Sequence, residues 1–192
     1  MQRGFYLYSL VTMKYITPYN LDWPRMFERI ARFLGWALPG TCRIHHVGST
    51  AIAGMPAKDI IDIDIECPGN MMSVLIEHLA GAGYIHEGDK GIAGREAFRP
   101  RSEGPAARLP GHHLYACESG SSELARHLAF RDYLASHGQR AKWLAEEKIA
   151  SDRLADSREA YIEAKAAAYA LVMEEALLWA GKTMHQGRDV IS

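Results

Sequence analysis

A glycine, two hydroxyl side chains, a lysine and two carboxylates stand close together in one stretch of this chain. The run is His46-Val47-Gly48-Ser49-Thr50, followed by Lys58 and then Asp62-Ile63-Asp64. Carboxylates at i and i+2 of a β-strand project from the same face, so their oxygens can meet at one hard cation. Mg²⁺, or Mn²⁺ in its place, is usually held by one or two carboxylates plus water and substrate phosphates. An ion so placed bridges phosphate oxygens and neutralises charge that develops during group transfer. Gly48 lets the backbone come close to a phosphate, Ser49 and Thr50 bring hydroxyl donors, and Lys58 brings a point charge. Asp62 and Asp64 are thus candidate metal ligands and catalytic residues. The alternation also fits an ordinary half-buried strand, with Ile61, Ile63 and Ile65 on one face and Asp62, Asp64 and Glu66 on the other. The two acids flank one isoleucine with no basic neighbour in the strand and repel each other, which favours a cation between them.

The chain around this run is ordinary for a soluble globular protein. It has 192 residues, 48% hydrophobic and 23% charged, enough for one domain with a core of its own. Its formal net charge of -1 gives no bulk attraction to nucleic acid or to an anionic membrane, so any anion site must be local. Cys42, Cys67 and Cys117 are odd in number, far apart and without metal-binding spacing, which reads as buried reduced thiols in a cytoplasmic protein. No apolar run approaches the ~20 residues of a membrane span. Recognisable patterning begins just after Met13. Residues 1–12 are therefore expected to be an extension outside the fold or an added edge strand, and residues 13–192 a single domain.

The elements that must position the run can be read in order. Asp22 caps a helix with Pro24 in its first turn, and Trp23, Met26, Phe27, Ile30 and Leu34 recur at helical spacing until Leu38-Pro39-Gly40. Strands are predicted at Arg43 to Val47, Ile60 to Glu66, Tyr84-Ile85, Arg95 to Arg99 and His112 to Cys117. Asn70 is the expected cap of a second helix carrying Met71, Val74, Leu75 and Leu79 and closed by Gly81 and Gly83. Residues 121–181 read as a helical C-terminal part with breaks near His137-Gly138 and Asp156-Ser157. The fold class is α+β, a mixed β-sheet covered by helices.

Further cations and imidazoles are candidates for a bound phosphate. On a helical wheel Arg131 falls inside the apolar stripe of Leu124, Leu128, Phe130 and Leu134, where a guanidinium must be paired or must face a cavity. Lys165 shares a face with Tyr161, Ala168 and Val172. Arg99 stands beside Phe98 on a strand, His46 precedes the Gly-Ser turn, and His113 lies on the last strand. Each has an ordinary structural reading too, as a buried ion pair, a snorkelling side chain or a satisfied strand-end histidine. The Walker loop, the GxSxG elbow and the HExxH zinc motif are absent.

These residues, taken together, resemble the GrpB-like proteins. The resemblance rests on His46-Val47-Gly48-Ser49-Thr50, Gly54-Met55-Pro56-Ala57-Lys58 and Ile60-Ile61-Asp62-Ile63, with Pro18-Tyr19-Asn20, Trp23-Pro24, Phe98-Arg99, His112-His113-Leu114, Phe130-Arg131-Asp132-Tyr133-Leu134 and Tyr161 with Lys165 following collinearly. It implies a nucleotidyltransferase-like fold. That superfamily uses Gly-Ser, a spacer, Asp-x-Asp on a strand and a third carboxylate on a later strand. Here twelve residues separate Ser49 from Asp62. The expectation is a Mg²⁺-dependent nucleotidyltransferase-like protein that binds a nucleotide or phosphorylated small molecule. Asp62 and Asp64 would take the metal, and His46, Gly48, Ser49, Thr50, Lys58, Arg99, His113, Arg131 and Lys165 the substrate. The family also occurs joined to dephospho-coenzyme A kinase, which suggests a nucleotide or coenzyme setting. Two departures stand out: the segment His113 to Cys117 holds no third carboxylate, Glu118 at its end serving only if the register permits, and Tyr115 stands where the family often has a second histidine. The alternative is therefore a non-catalytic binding module on the same fold.

Overall fold

The structure, a computed structural model, describes residues 13–186, so the expectation for residues 1–12 lies outside it. The described residues fall into two compact units. One holds residues 21–51 and 60–127, the other residues 13–20, 52–59 and 128–186.

The first unit is built on a five-stranded mixed sheet. Its elements are α1 (Trp23–Ala37), β1 (Arg43–Val47), β2 (Ile61–Cys67), α2 (Met72–Gly81), β3 (Tyr84–His86), β4 (Arg95–Pro100) and β5 (His112–Glu118). The strand order is β1-β2-β5-β4-β3, with β2 and β5 parallel and every other pair antiparallel. One face is the core: Ile61, Ile63 and Ile65 are fully buried, as are Ile30 and Leu34 of α1 and Leu75 and Leu79 of α2. Burying these branched side chains is the main force holding helices to sheet, at roughly 1.5–3 kcal/mol each. On the same face the Tyr84 hydroxyl donates to His112 Nε2 at 2.9 Å while His112 Nδ1 donates to the Pro110 carbonyl at 2.7 Å.

Two capping expectations fail in detail. Asp22 sits at the N-cap of α1 but has helical dihedrals and makes no side-chain cap bond; its carboxylate lies 3.7 Å from Arg25 instead. Asn70 does not cap α2, because a 3₁₀ turn over Gly69–Met71 intervenes and the cap position falls to Met71.

The second unit is helical. It takes the later part of α3 (Ser122–Ser136), all of α4 (Gly138–Leu154) and α5 (Arg158–Gln186). Its core joins Ile52 and Met55 to Phe130, Leu134, Leu144 and Val172. Asp152 is fully buried and accepts the backbone N–H groups of Lys14 at 2.8 Å and Tyr15 at 2.7 Å. Glu175 accepts a fork of two 2.7 Å bonds from Arg140 and one of 3.0 Å from Tyr133. The breaks fall where the sequence placed them, but α5 runs through Gly181 to Gln186. A lone glycine costs a helix only about 1 kcal/mol. Among the described residues no helix is long and apolar enough to cross a membrane.

Candidate functional site

The site lies on the sheet face opposite the isoleucines. Register sets its membership, because residues paired across strands share a face. Asp62 pairs with Val47 on β1 and His113 on β5, and Asp64 pairs with His45 and Tyr115. Arg95 pairs with Cys117 one step further along.

Asp64 is the unusual member. It is 0% exposed, although it stands on the face opposite the buried isoleucines. Its Oδ2 accepts a 2.7 Å hydrogen bond from His127 Nδ1, while its Oδ1 is buried without a partner. His127 Nε2 faces Glu123 Oε1 at 3.3 Å, so one imidazole joins two carboxylates. Burial alone would lower the His127 pKa. The hydrogen bond to Asp64 and the charges of Asp64 and Glu123 outweigh that effect, against opposition from Arg95, and hold the imidazole above its ordinary value. Glu66, on the same face, is bonded to His45 at 3.0 Å.

Asp62 is more open. Its Oδ1 accepts from His113 Nδ1 at 2.9 Å, with the side chains 35% and 52% exposed. Gly48 lies against it. At φ +70 the residue is in the left-handed region, and a Cβ there would come within 3.0 Å of Asp62 Cβ and closer still to its Oδ2. Glycine is required twice over, by the turn and by the approach of backbone to carboxylate. Val47, Gly48, Asp62, Arg95, Tyr115 and His127 line a cavity of about 230 Å³. The Arg95 guanidinium lies 4.5 Å above the Tyr115 ring and 3.5 Å from Glu123, and its Nε is buried without a partner. Burial pushes the Tyr115 phenol above its usual range; Arg95 opposes this and Asp62 and Asp64 add to it. Burial also pushes the neighbouring Cys117 thiol up to about 12, so it stays protonated.

The other predicted residues are placed differently. His46 pairs with Ile63 and so lies on the opposite face from the aspartates, stacked on Phe27 at 4.6 Å and bonded to Thr50 Oγ1 at 2.9 Å. Thr50 is buried there. Both pack at the turn that carries Gly48. Ser49 opens the 3₁₀ turn Ser49–Ala51 directly after Gly48. Arg99 is half-exposed on β4 and lies 3.4 Å from Glu87. Lys58, Arg131 and Lys165 belong to the helical unit. There Arg131 donates to Asp132 at 2.7 Å, and the Lys165 ammonium lies 5.0 Å from the Tyr161 ring and 4.9 Å from that of Tyr169.

Four residues of the cluster were not read from the sequence as site members: Arg95, Tyr115, Glu123 and His127. A local signal existed for two of them, since Glu123 and His127 are at i and i+4 on one face of α3. A larger groove of about 580 Å³, bordered by Arg29, Phe33, Trp36 and Leu109, has no carboxylate or hydroxyl in its lining.

A partnerless, fully buried carboxylate oxygen beside a second carboxylate is what a cation would satisfy. Among the described residues no group of three or more His, Cys, Asp or Glu side chains is disposed to hold a metal, so water and ligand oxygens would complete its shell.

Comparison with known proteins agrees along most of the chain. It is 37% identical over 168 residues to UPF0157 protein YqkA of Bacillus subtilis, covering 84% of this chain and 46% of that one, so it spans about half the length of that relative. It is 34% identical to UPF0157 protein PA4798 of Pseudomonas aeruginosa, covering 84% of this chain and 67% of that one. The crystal structure of conserved protein GrpB from Enterococcus faecalis matches with a TM-score of 0.71 at 29% identity, over 86% of this chain and 98% of that one. The structure of Cid1 in complex with the UTP analog UMPNPP matches at a TM-score of 0.47 and 12% identity over 70% of this chain and 40% of that one, a likeness that carries no functional information. The family model described as GrpB protein matches residues 15–175, and the chain belongs to that family.

Proposed function

We propose that this protein is nucleotidyltransferase-like and binds a nucleotide or phosphorylated small molecule together with one Mg²⁺ or Mn²⁺ at the Gly48-Ser49 turn and the Asp62-x-Asp64 strand. The observation that carries the reading is Asp64 Oδ1, buried and without a partner, two residues along β2 from the Asp62 carboxylate that Gly48 packs against. Asp62 and Asp64 hold the ion, whose chemistry is to neutralise phosphate charge. Gly48 and Ser49 present the backbone and hydroxyl to phosphate. Within the sheet unit Arg99 is a countercharge to be tested.

A second reading, binding without catalysis, has its own support. Across β5, where a third carboxylate would stand, His113 faces Asp62 and Tyr115 faces Asp64. Thermal unfolding with nucleoside triphosphate and Mg²⁺ tests the binding common to both. Saturation at a hundred times Kd adds about 2.7 kcal/mol, and Asp62→Ala or Asp64→Ala removes that gain. No stabilisation of the native chain ends the proposal. Sustained pyrophosphate release from labelled triphosphates favours the enzyme over the binding module.

A further inference from the structure

We propose that Arg95 acts in place of a second metal ion, as the group that grips the phosphate end of the ligand, so that the site works with a single divalent cation. This inference rests on the proposed function above. The observations that carry it all lie within the sheet unit.

Arg95 lines the same cavity as Gly48 and Asp62. Its side chain is 12% exposed, and its Nε is buried with no acceptor among the described residues. An arginine left in that state is one whose acceptor arrives from outside, since an unmade buried bond to a charged group is costly. The guanidinium is also fixed. Tyr115 supports its flat face at 4.5 Å, and Glu123 holds Nη1 at 3.5 Å. A planar fork held this way offers its remaining donors as a set, the geometry that suits phosphate oxygens.

The strand register points the same way. Asp62 and Asp64 are the paired acids of the site, and across β5 they meet His113 and Tyr115 rather than a further carboxylate that could hold a second ion. The cavity, at about 230 Å³, is smaller than the ~300–1,000 Å³ pockets that enclose a whole drug-sized ligand. It takes the phosphate end and leaves the rest of the ligand outside. The ligand class is a polyphosphate ester bound through its phosphates.

The test uses Mn²⁺ and inorganic triphosphate as probes on the full chain. Electron paramagnetic resonance counts bound Mn²⁺, and calorimetry at saturating Mn²⁺ measures triphosphate affinity. The expectation is one Mn²⁺ per chain in the presence of triphosphate. Arg95→Gln should leave Mn²⁺ affinity within about twofold and weaken triphosphate roughly tenfold or more. Arg95→Lys, which keeps the charge and a long stem should Arg95→Gln fold poorly, should fall between the two. Two Mn²⁺ per chain, or unchanged triphosphate affinity in both variants, overturns the inference while leaving the proposed function standing. Failure of the native chain to bind triphosphate with Mn²⁺ overturns both.

Discussion

The carboxylate of Asp64 and the imidazole of His127 form a buried pair, 2.7 Å apart, in which one carboxylate oxygen is bonded and the other is left over. Removing one member of such a pair strands the other. His127→Ala should therefore destabilise the fold by about 3 kcal/mol, measured by urea unfolding at pH 7. The exposed pair on the same strand behaves otherwise. His113→Ala, which breaks the half-exposed contact with Asp62, should cost less than about 1 kcal/mol and leave Mn²⁺ affinity no weaker. A tenfold loss of Mn²⁺ affinity would instead make His113 a ligand.

The same pair sets a pH dependence. The folded protein holds the His127 pKa above its ordinary value of about 6.5. Protonation therefore favours the folded state. The contribution is fully present below the unfolded pKa and is lost as pH rises through the raised folded one. Urea midpoints of the native chain and of His127→Gln, compared from pH 5 to 9, should converge toward the alkaline end. A constant gap between them would uncouple His127 from Asp64.

Gly48→Ala tests the turn. A left-handed alanine costs about 1–2 kcal/mol on its own, and here the added methyl also strikes the Asp62 carboxylate. The control is Gly91→Ala, with φ +81 but open space around it. Both variants should lose stability, measured by thermal unfolding, whereas only Gly48→Ala should lose Mn²⁺ binding.

His46→Ala separates packing from ligand contact. It removes a stack on Phe27 and a bond to Thr50. A loss of about 1–2 kcal/mol in stability is expected, with Mn²⁺ and triphosphate affinities within about twofold of the native chain. A selective loss of triphosphate binding would return His46 to the ligand.

The sequence made the elements legible because their signals are local. The Ile61, Ile63 and Ile65 alternation and the Trp23, Ile30 and Leu34 spacing name their own periods, and each predicted strand from Arg43 onward appears within a few residues of its place. The aspartates were visible for the same reason. Arg95 and His127 were not, because which side chains meet is fixed by pairing across strands and by where α3 lands. No local pattern records that β2 runs parallel to β5, or that His46 and Asp62, one register step apart on neighbouring strands, face opposite ways.

The parallel pairing of β2 with β5 has a kinetic consequence. Parallel neighbours need a long crossover, and here α2, β3 and β4 all lie between them in the chain. The bonds Asp62–His113 and Asp64–His127 consequently join residues 51 and 63 positions apart. Contacts of such sequence separation form late, after the entropy of closing the loop has been met. The two aspartates reach their working surroundings only once the whole crossover has docked, so during refolding Mn²⁺ binding should rise with the final phase and serve as a clock for completion of the sheet.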